Sequence, residues 1–355
     1  MRSTSGKHFV ALDHTRALAA FMVFSWHFLH FVDGYPVPFE YTPSFPPLAF
    51  FNEGHTGVGL FMVLSGYLFA KLLDGERINF VYFFWNRLLR LLPLLIFVLI
   101  AGGVQKYLKG ENLDAYVTNI WQGVLLPTLP NGGWSITAEL HFYVLLPFLL
   151  YLIAKSLLFP LVLVAISITL RAYLYLDQGE VQVLAYFTII GRIDQFILGI
   201  VSFHLSKKFR QQNWLVILLA LTFSFFWWWF DSSGGFYRQS TYPSKSWLWI
   251  VIPTIEAIGY ASFIAWYDSR KINSATLWSK LLQKLGEYSY SIYLLHFFVV
   301  FRAARFINEH VMNISNFYLA MVWSALLFSL MLIPAYLSFR FIEAPFLKFR
   351  KNYHQ

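Results

Sequence analysis

LDHTRALAAFMVFSWHFLHF, residues 12–31, is an apolar run that opens on Asp13 and Arg16 and carries His27 in its interior. Read as a helix, it advances by about 100° and about 1.5 Å per residue, so Arg16 and His27 lie about 20° from eclipsed and about 16 Å apart along the axis. The two side chains share one face. Arg16 then sits near one membrane boundary, while His27 lies about halfway across or further, where an ionisable group is rare and expensive and marks a site. Asp13 and Arg16 are one turn apart and can pair, and an acidic group suits the first turn of a helix.

The rest of the chain is built of the same material. Its 355 residues are 58% hydrophobic, 20% aromatic and 13% charged, against about 25% charged in a soluble domain. That composition predicts an all-α, polytopic membrane bundle. Apolar runs long enough to cross a hydrocarbon core recur at residues 17–32, 58–73, 88–104, 136–154, 157–176, 187–205, 214–230, 247–267, 288–306 and 317–341, which predicts about ten transmembrane helices. Most of the 27 Lys and Arg fall before the first run, after the second, fourth, sixth and eighth, and at the C-terminal end. By the positive-inside rule both termini face the cytoplasm.

The formal charge of +9 is spread in short clusters rather than along one face, which argues against nucleic acid as the partner. With no cysteine, disulfides, thiolate metal sites and a Cys acyl-enzyme are excluded. The first run lacks a small-x-small cleavage site, so it is expected to stay in the membrane. A single membrane-embedded domain over residues 1–355, with a core of 12–346 and no appended soluble domain, is the expected organisation.

Outer connections differ from inner ones. Residues 33–57 hold five prolines, Glu40 and Glu53 but no Lys or Arg, as a rigid extracytoplasmic loop and potential lid would. Residues 112–133 are too polar and broken to span, and predict a short interfacial helix. The run Trp227, Trp228, Trp229 reads as an aromatic anchor at the outer boundary.

Several polar groups interrupt the apolar runs. A histidine near neutral pKa, such as His27, can take a proton from an attacking hydroxyl, the task that O-acyl transfer sets; alone, it could also serve as an interhelical hydrogen bond. His30 lies one turn from His27, but no third ligand is evident, and no metal is expected. GVGLFMVLSGYL, residues 57–68, has small residues at Gly57, Gly59, Ser65 and Gly66 that would press this helix against the first. Arg87 and Arg90, in WNRLLRLLP, form a guanidinium pair suited to a phosphate or pyrophosphate, although two arginines before a span are also ordinary positive-inside signals. In WSITAELHFYVLLPFL, from Trp134, Glu139 stands about one turn into its helix, where it could orient His27, hold a sugar hydroxyl, or partner Arg171 or Arg192. Arg192, Asp194, Glu256, His296, Arg302 and Arg305 complete an intramembrane set whose size implies a hydrated cavity.

Six blocks taken in order, LDHTRALAAFMVFSWH, GHTGVGLFMVLSGYL, RLLRLLP, WSITAELHFYVLLP, LGEYSYSIYLLH and FIEAPF, resemble the successive signatures of the acyltransferase 3 family. The resemblance runs over residues 12–346. It implies a bacterial inner-membrane enzyme that takes an acyl group, usually acetyl, from cytoplasmic acyl-CoA and places it on a sugar hydroxyl of a surface glycan or glycolipid, such as lipopolysaccharide O-antigen or exopolysaccharide. The family's Arg-x10-His motif falls on Arg16 and His27, its paired arginines on Arg87 and Arg90, and its Trp-Ser…Glu…Phe-Tyr block on Trp134, Ser135, Glu139, Phe142 and Tyr143. His14 stands where Gly is common and His141 where Gln is common, and neither change removes a catalytic group. Some members carry a C-terminal hydrolase-like domain that is not expected here.

The expected roles follow. His27, with Glu139 and Asp13, is the catalytic set; Arg16, Arg87 and Arg90 bind the acetyl-CoA donor; Trp134, Ser135, Tyr143 and His296 bind substrate. The alternative reading is a glycan or small-molecule transporter or flippase with a polar intramembrane path, against which stand the arginine pair at the cytoplasmic mouth and the lack of an evident inverted repeat.

Overall fold

A computed structural model of the protein describes residues 9–30, 34–209, 212–238 and 241–354. Among these residues the chain is helical, without strands and with only two isolated bridges, His30 to Pro36 and Ile78 to His354. The main helices are α1 (Val10–Leu29), α2 (Gly57–Leu73), α3 (Phe80–Leu108), α4 (Trp134–Lys155), α5 (Leu158–Gln178) and α6 (Ile189–Phe209). They continue as α7 (Asn213–Ser232), α8 (Ile252–Asp268), α9 (Leu277–Glu287), α10 (Ser289–Leu295), α11 (Val300–Phe306) and α12 (Phe317–Leu347).

All ten expected runs fall on helices, but only seven described helices, α2 to α7 and α12, have the length and hydropathy of a span. The pair α10 and α11 would be an eighth, bent by 55°. α8 has 17 residues and α1 carries Asp13, His14, Arg16 and His27, so neither qualifies on those measures. The expected end of the first run, Phe31 and Val32, lies outside the described residues, as do the cations before Phe9. The interfacial helix expected within 112–133 is Asp114–Gln122.

The bundle has an inner and an outer layer. α2 is 78% buried along its span, whereas α5 and α7 are 22% buried and leave apolar side chains exposed. At the centre α2 packs on α6, α1 and α8, and small residues set the distance. A Cβ on Gly66 would stand 2.1 Å from the Phe196 carbonyl oxygen, and one on Gly199 2.1 Å from that of Val63. Gly57 does the same against α1, where the Ala19 carbonyl would be 2.6 Å away. The small residues of 57–68 thus serve two backbones, α1 and α6, rather than α1 alone. Gly199→Ala is expected to destabilise the detergent-solubilised protein by about 1–3 kcal/mol, read as a lower thermal midpoint.

Most of the deep charges are paired and closed off. Arg171 meets Asp194 at 2.8 Å and Thr254 at 2.8 Å, and Arg192 meets Glu256 at 3.5 Å with Gln195 between them. All four charged groups are fully buried. Removing one partner from such a pair costs about 3–5 kcal/mol, so this seam fixes α5, α6 and α8 and does not line a hydrated cavity as expected. Arg302 and Arg305 also depart from expectation: both are exposed on α11.

The loop before α2 is held down at several points. Asn52 donates to Tyr41 O at 2.8 Å and to Asp231 at 2.9 and 3.0 Å, and Trp228 donates to Pro43 O at 3.0 Å. Trp227, expected as a boundary anchor, is instead fully buried against His55 and Phe230, and Trp229 is the exposed member of the run. Glu53, in this loop, is buried beside Asp231 and hydrogen-bonded to His55 Nε2 at 2.9 Å. Its carboxyl is pushed well above the ordinary range by burial and then by Asp231. A raised folded-state pKa gives stability that is fully present below the unfolded value of about 4.3 and lost as pH rises through the folded one. Thermal stability is therefore expected to fall as pH rises through that value, and Glu53→Gln to flatten the fall; a steep fall that persists in the variant would place its origin elsewhere.

Candidate active site

His27 lies in the last turn of α1. Its Nδ1 is 2.9 Å from the Val23 carbonyl and 3.2 Å from Nε2 of His296, whose own Nδ1 is bound to the Tyr293 carbonyl. Carbonyl oxygens only accept, so both Nδ1 atoms carry the proton. His27 then shares its N–H between Val23 and the lone pair of His296, and its Nε2 is left unprotonated, with no partner among the described residues. His296 is 1% exposed, while His27 keeps an accessible edge between Phe297 and Phe301, whose rings stand 4.7 and 5.7 Å away. The bend between α10 and α11 follows His296 directly and delivers it to this position. His30 is occupied elsewhere, bound to Val37 and Asn52. The arrangement fixes a tautomer whose free nitrogen can accept a proton.

At the other end of α1 lies a cavity of about 170 Å³. Its charged lining is Asp13, Arg16, Arg87, Arg90, Glu139, Glu287 and Arg350, four arginines to three carboxylates. Arg16 donates to Asp13, as the spacing predicts, and Tyr143 donates to Glu139. The Arg87 guanidinium lies over the rings of Phe69 and Phe83 at 5.4 and 5.3 Å. Arginines outnumber the carboxylates here, which suits a multiply charged anion. Ser135, Glu139 and Tyr143 present one face of α4 to the cavity, each step carrying about 6 Å further from the His27 end.

Glu139 therefore sits among the arginines, and Asp13 is committed to Arg16. Among the described residues the polar groups that touch His27 are Val23 O and His296, not Glu139 or Asp13 as expected. The sequence places Glu139 one turn into its helix but does not say how deep that helix begins. His296, expected at the substrate, is buried behind His27. Trp134 faces away from the cavity, packed on Tyr186 and Phe187 at 5.1 and 4.9 Å.

Tyr293 joins the two regions. Its hydroxyl lines the cavity and bonds Ser135 Oγ at 2.8 Å and Gly132 O at 3.1 Å, while its carbonyl holds His296. Gly132, at φ +73, leaves room that a Cβ would take from Phe297 at 2.7 Å, and Phe297 in turn packs on His27. Sequence reasoning missed Tyr293 and Arg350. The first lies one turn before His296 in the same helix, a signal that was available; the second is only one more cation in a basic segment.

The pattern of the acyltransferase 3 family, described as an acyltransferase domain, matches residues 9–339. A Staphylococcus aureus (strain COL) protein named for an inferred O-acetyltransferase activity is 27% identical over 83% of this chain and 53% of its own length. The peptidoglycan O-acetyltransferase OatA of Listeria monocytogenes is 26% identical over 98% of this chain and 57% of its own. BcsY of Komagataeibacter xylinus, named for an inferred membrane-bound transacylase activity, is 26% identical over 68% and 65%. The chain thus spans about half to two thirds of the length of these relatives. No solved structure matches. With a family pattern over residues 9–339 that takes in five of the six motif blocks, on a helical membrane bundle, the chain belongs to the acyltransferase 3 family.

Proposed function

We propose that the protein is an O-acyltransferase of the bacterial cytoplasmic membrane that moves an acyl group, most simply acetyl, from cytoplasmic acyl-CoA to a hydroxyl of a cell-surface glycan. The observation that carries the reading is the pairing, along one helix, of an arginine-lined cavity with a histidine whose free Nε2 has a fixed tautomer. Residues 12–346 act as one unit in this reading, with the arginine end facing the cytoplasm.

The donor's phosphates dock on Arg87 and Arg90, and its extended pantetheine arm runs past Ser135 and Tyr293 towards His27, about 16 Å from the level of Arg16. Ser135 and Tyr143 line the arm's path, and Glu139 balances the arginines. The acceptor hydroxyl approaches from the side of residues 34–57. His27 Nε2 takes its proton as the oxygen attacks the thioester carbonyl; the C–S bond breaks, and the CoA thiolate recovers the proton from the imidazolium. His296, accepting from Nδ1, stabilises that imidazolium. The naming of OatA for a peptidoglycan acceptor supports a glycan as the acceptor class.

The test is transfer of label from [14C]acetyl-CoA to a glycan extract by protein in nanodiscs. Alkali-labile label on the glycan is the expected result. Movement of glycan across a proteoliposome without consumption of acyl-CoA would replace this reading with the transporter.

A further inference from the structure

The segment after α12, residues 349–354, is not a loose extension of that helix. It is fastened to the first turns of α3. Trp85 donates to Phe349 O at 3.3 Å; Asn86, fully buried, donates to Lys351 O at 2.7 Å and accepts from Lys351 N–H at 2.9 Å. Asn79 N–H donates to Tyr353 O at 2.9 Å, Ile78 bridges to His354, and the buried Tyr353 ring meets Phe83 edge-on at 5.6 Å. Asn86 precedes Arg87 and Lys351 follows Arg350, so this two-point clamp brings the two arginines to the same place. Both line the cavity. The Nε–H of each is buried without an acceptor among the described residues, and an anion in the cavity they line would supply one.

We infer that Arg350 is a third guanidinium of a phosphoryl-binding site, positioned by residues 349–354 beside Arg87 and Arg90. Arginines arriving from two separate elements suit a group with acceptor oxygens on several sides, a phosphate or pyrophosphate, better than a planar carboxylate that one bidentate arginine satisfies. Burial and the nearby Arg90 and Arg87 push the Arg350 guanidinium down to about 10, the direction expected of cations held together in want of an anion. Because it rests on reading the cavity as the donor's site, the phosphoryl group is assigned to the nucleotide end of the donor rather than to a lipid headgroup.

The experiment is equilibrium binding of coenzyme A, 3′-dephospho-coenzyme A and inorganic pyrophosphate to full-length protein in zwitterionic nanodiscs, repeated in nanodiscs containing phosphatidylglycerol. Arg350→Gln is expected to weaken coenzyme A by about 10-fold or more, one lost charge-assisted contact, with Arg350→Lys intermediate and an unchanged thermal midpoint reporting the fold. Asn86→Ala, which leaves Arg350 in place but releases its clamp, is expected to weaken binding as well. Wild-type affinity in both Arg350 variants alongside loss in Arg87→Gln would overturn the role of Arg350 and leave the donor site standing. Wild-type affinity in Arg350→Gln and Arg87→Gln alike would remove the donor site too. An effect confined to the phosphatidylglycerol discs would overturn the assignment to a nucleotide in favour of a lipid headgroup.

Discussion

Replacing His27 by Ala is expected to lower acyl transfer by about 10²–10⁴-fold, the range that a positioned general base supplies, while donor affinity stays at the wild-type level. The separation of effects follows from the layout. His27 is not among the residues lining the arginine cavity, and among the described residues its polar contacts are Val23 O and His296. The loss should therefore appear in turnover. His296→Ala removes the acceptor behind Nδ1 and should give a smaller loss, together with a shifted pH profile, because the imidazolium formed during transfer loses its partner. If His27 were only an interhelical hydrogen bond, the Ala variant would show lowered stability with turnover per folded molecule preserved.

The second large effect is expected on binding. Arg87→Ala with Arg90→Ala removes two guanidinia from a cavity whose lining otherwise leaves Arg16, tied to Asp13, and Arg350. Truncating one member of a buried charged contact typically costs about 2 kcal/mol or more, about 30-fold in affinity. The double variant should lose at least about 10²-fold in donor affinity and should retain transfer only at saturating donor. The loss should shrink at high ionic strength less than a surface pair would allow, because the site is partly enclosed.

Much of this was legible in the chain itself. The face shared by Arg16 and His27 follows from helical geometry, and the pairing of Arg16 with Asp13 from a one-turn spacing; both describe neighbours on a single helix, where periodicity is informative. Contacts between helices were less accessible. The position of Glu139 one turn into its helix allows a pairing with His27, yet α4 directs Ser135, Glu139 and Tyr143 down one face to the arginines. His296 reaches His27 only because the helix bends by 55° just beyond it, and hydropathy carries no sign of a bend without proline. Trp227 shows the same limit. Three consecutive tryptophans point in three directions around a helix, so one is buried while another is exposed. α1 and α8, two of the ten expected runs, lack the length or hydropathy of a span for a related reason: helices enclosed by other helices need not be as apolar as those that meet lipid.

The central claim is that a donor held by the arginines is discharged through His27. It is tested most directly by measuring, on the same nanodisc preparations, acetyl-CoA binding and single-turnover transfer for wild type, His27→Ala and the Arg87→Ala, Arg90→Ala variant. Binding without transfer is expected for the histidine variant, and weakened binding for the arginine variant. Full transfer by a folded His27→Ala protein would contradict it.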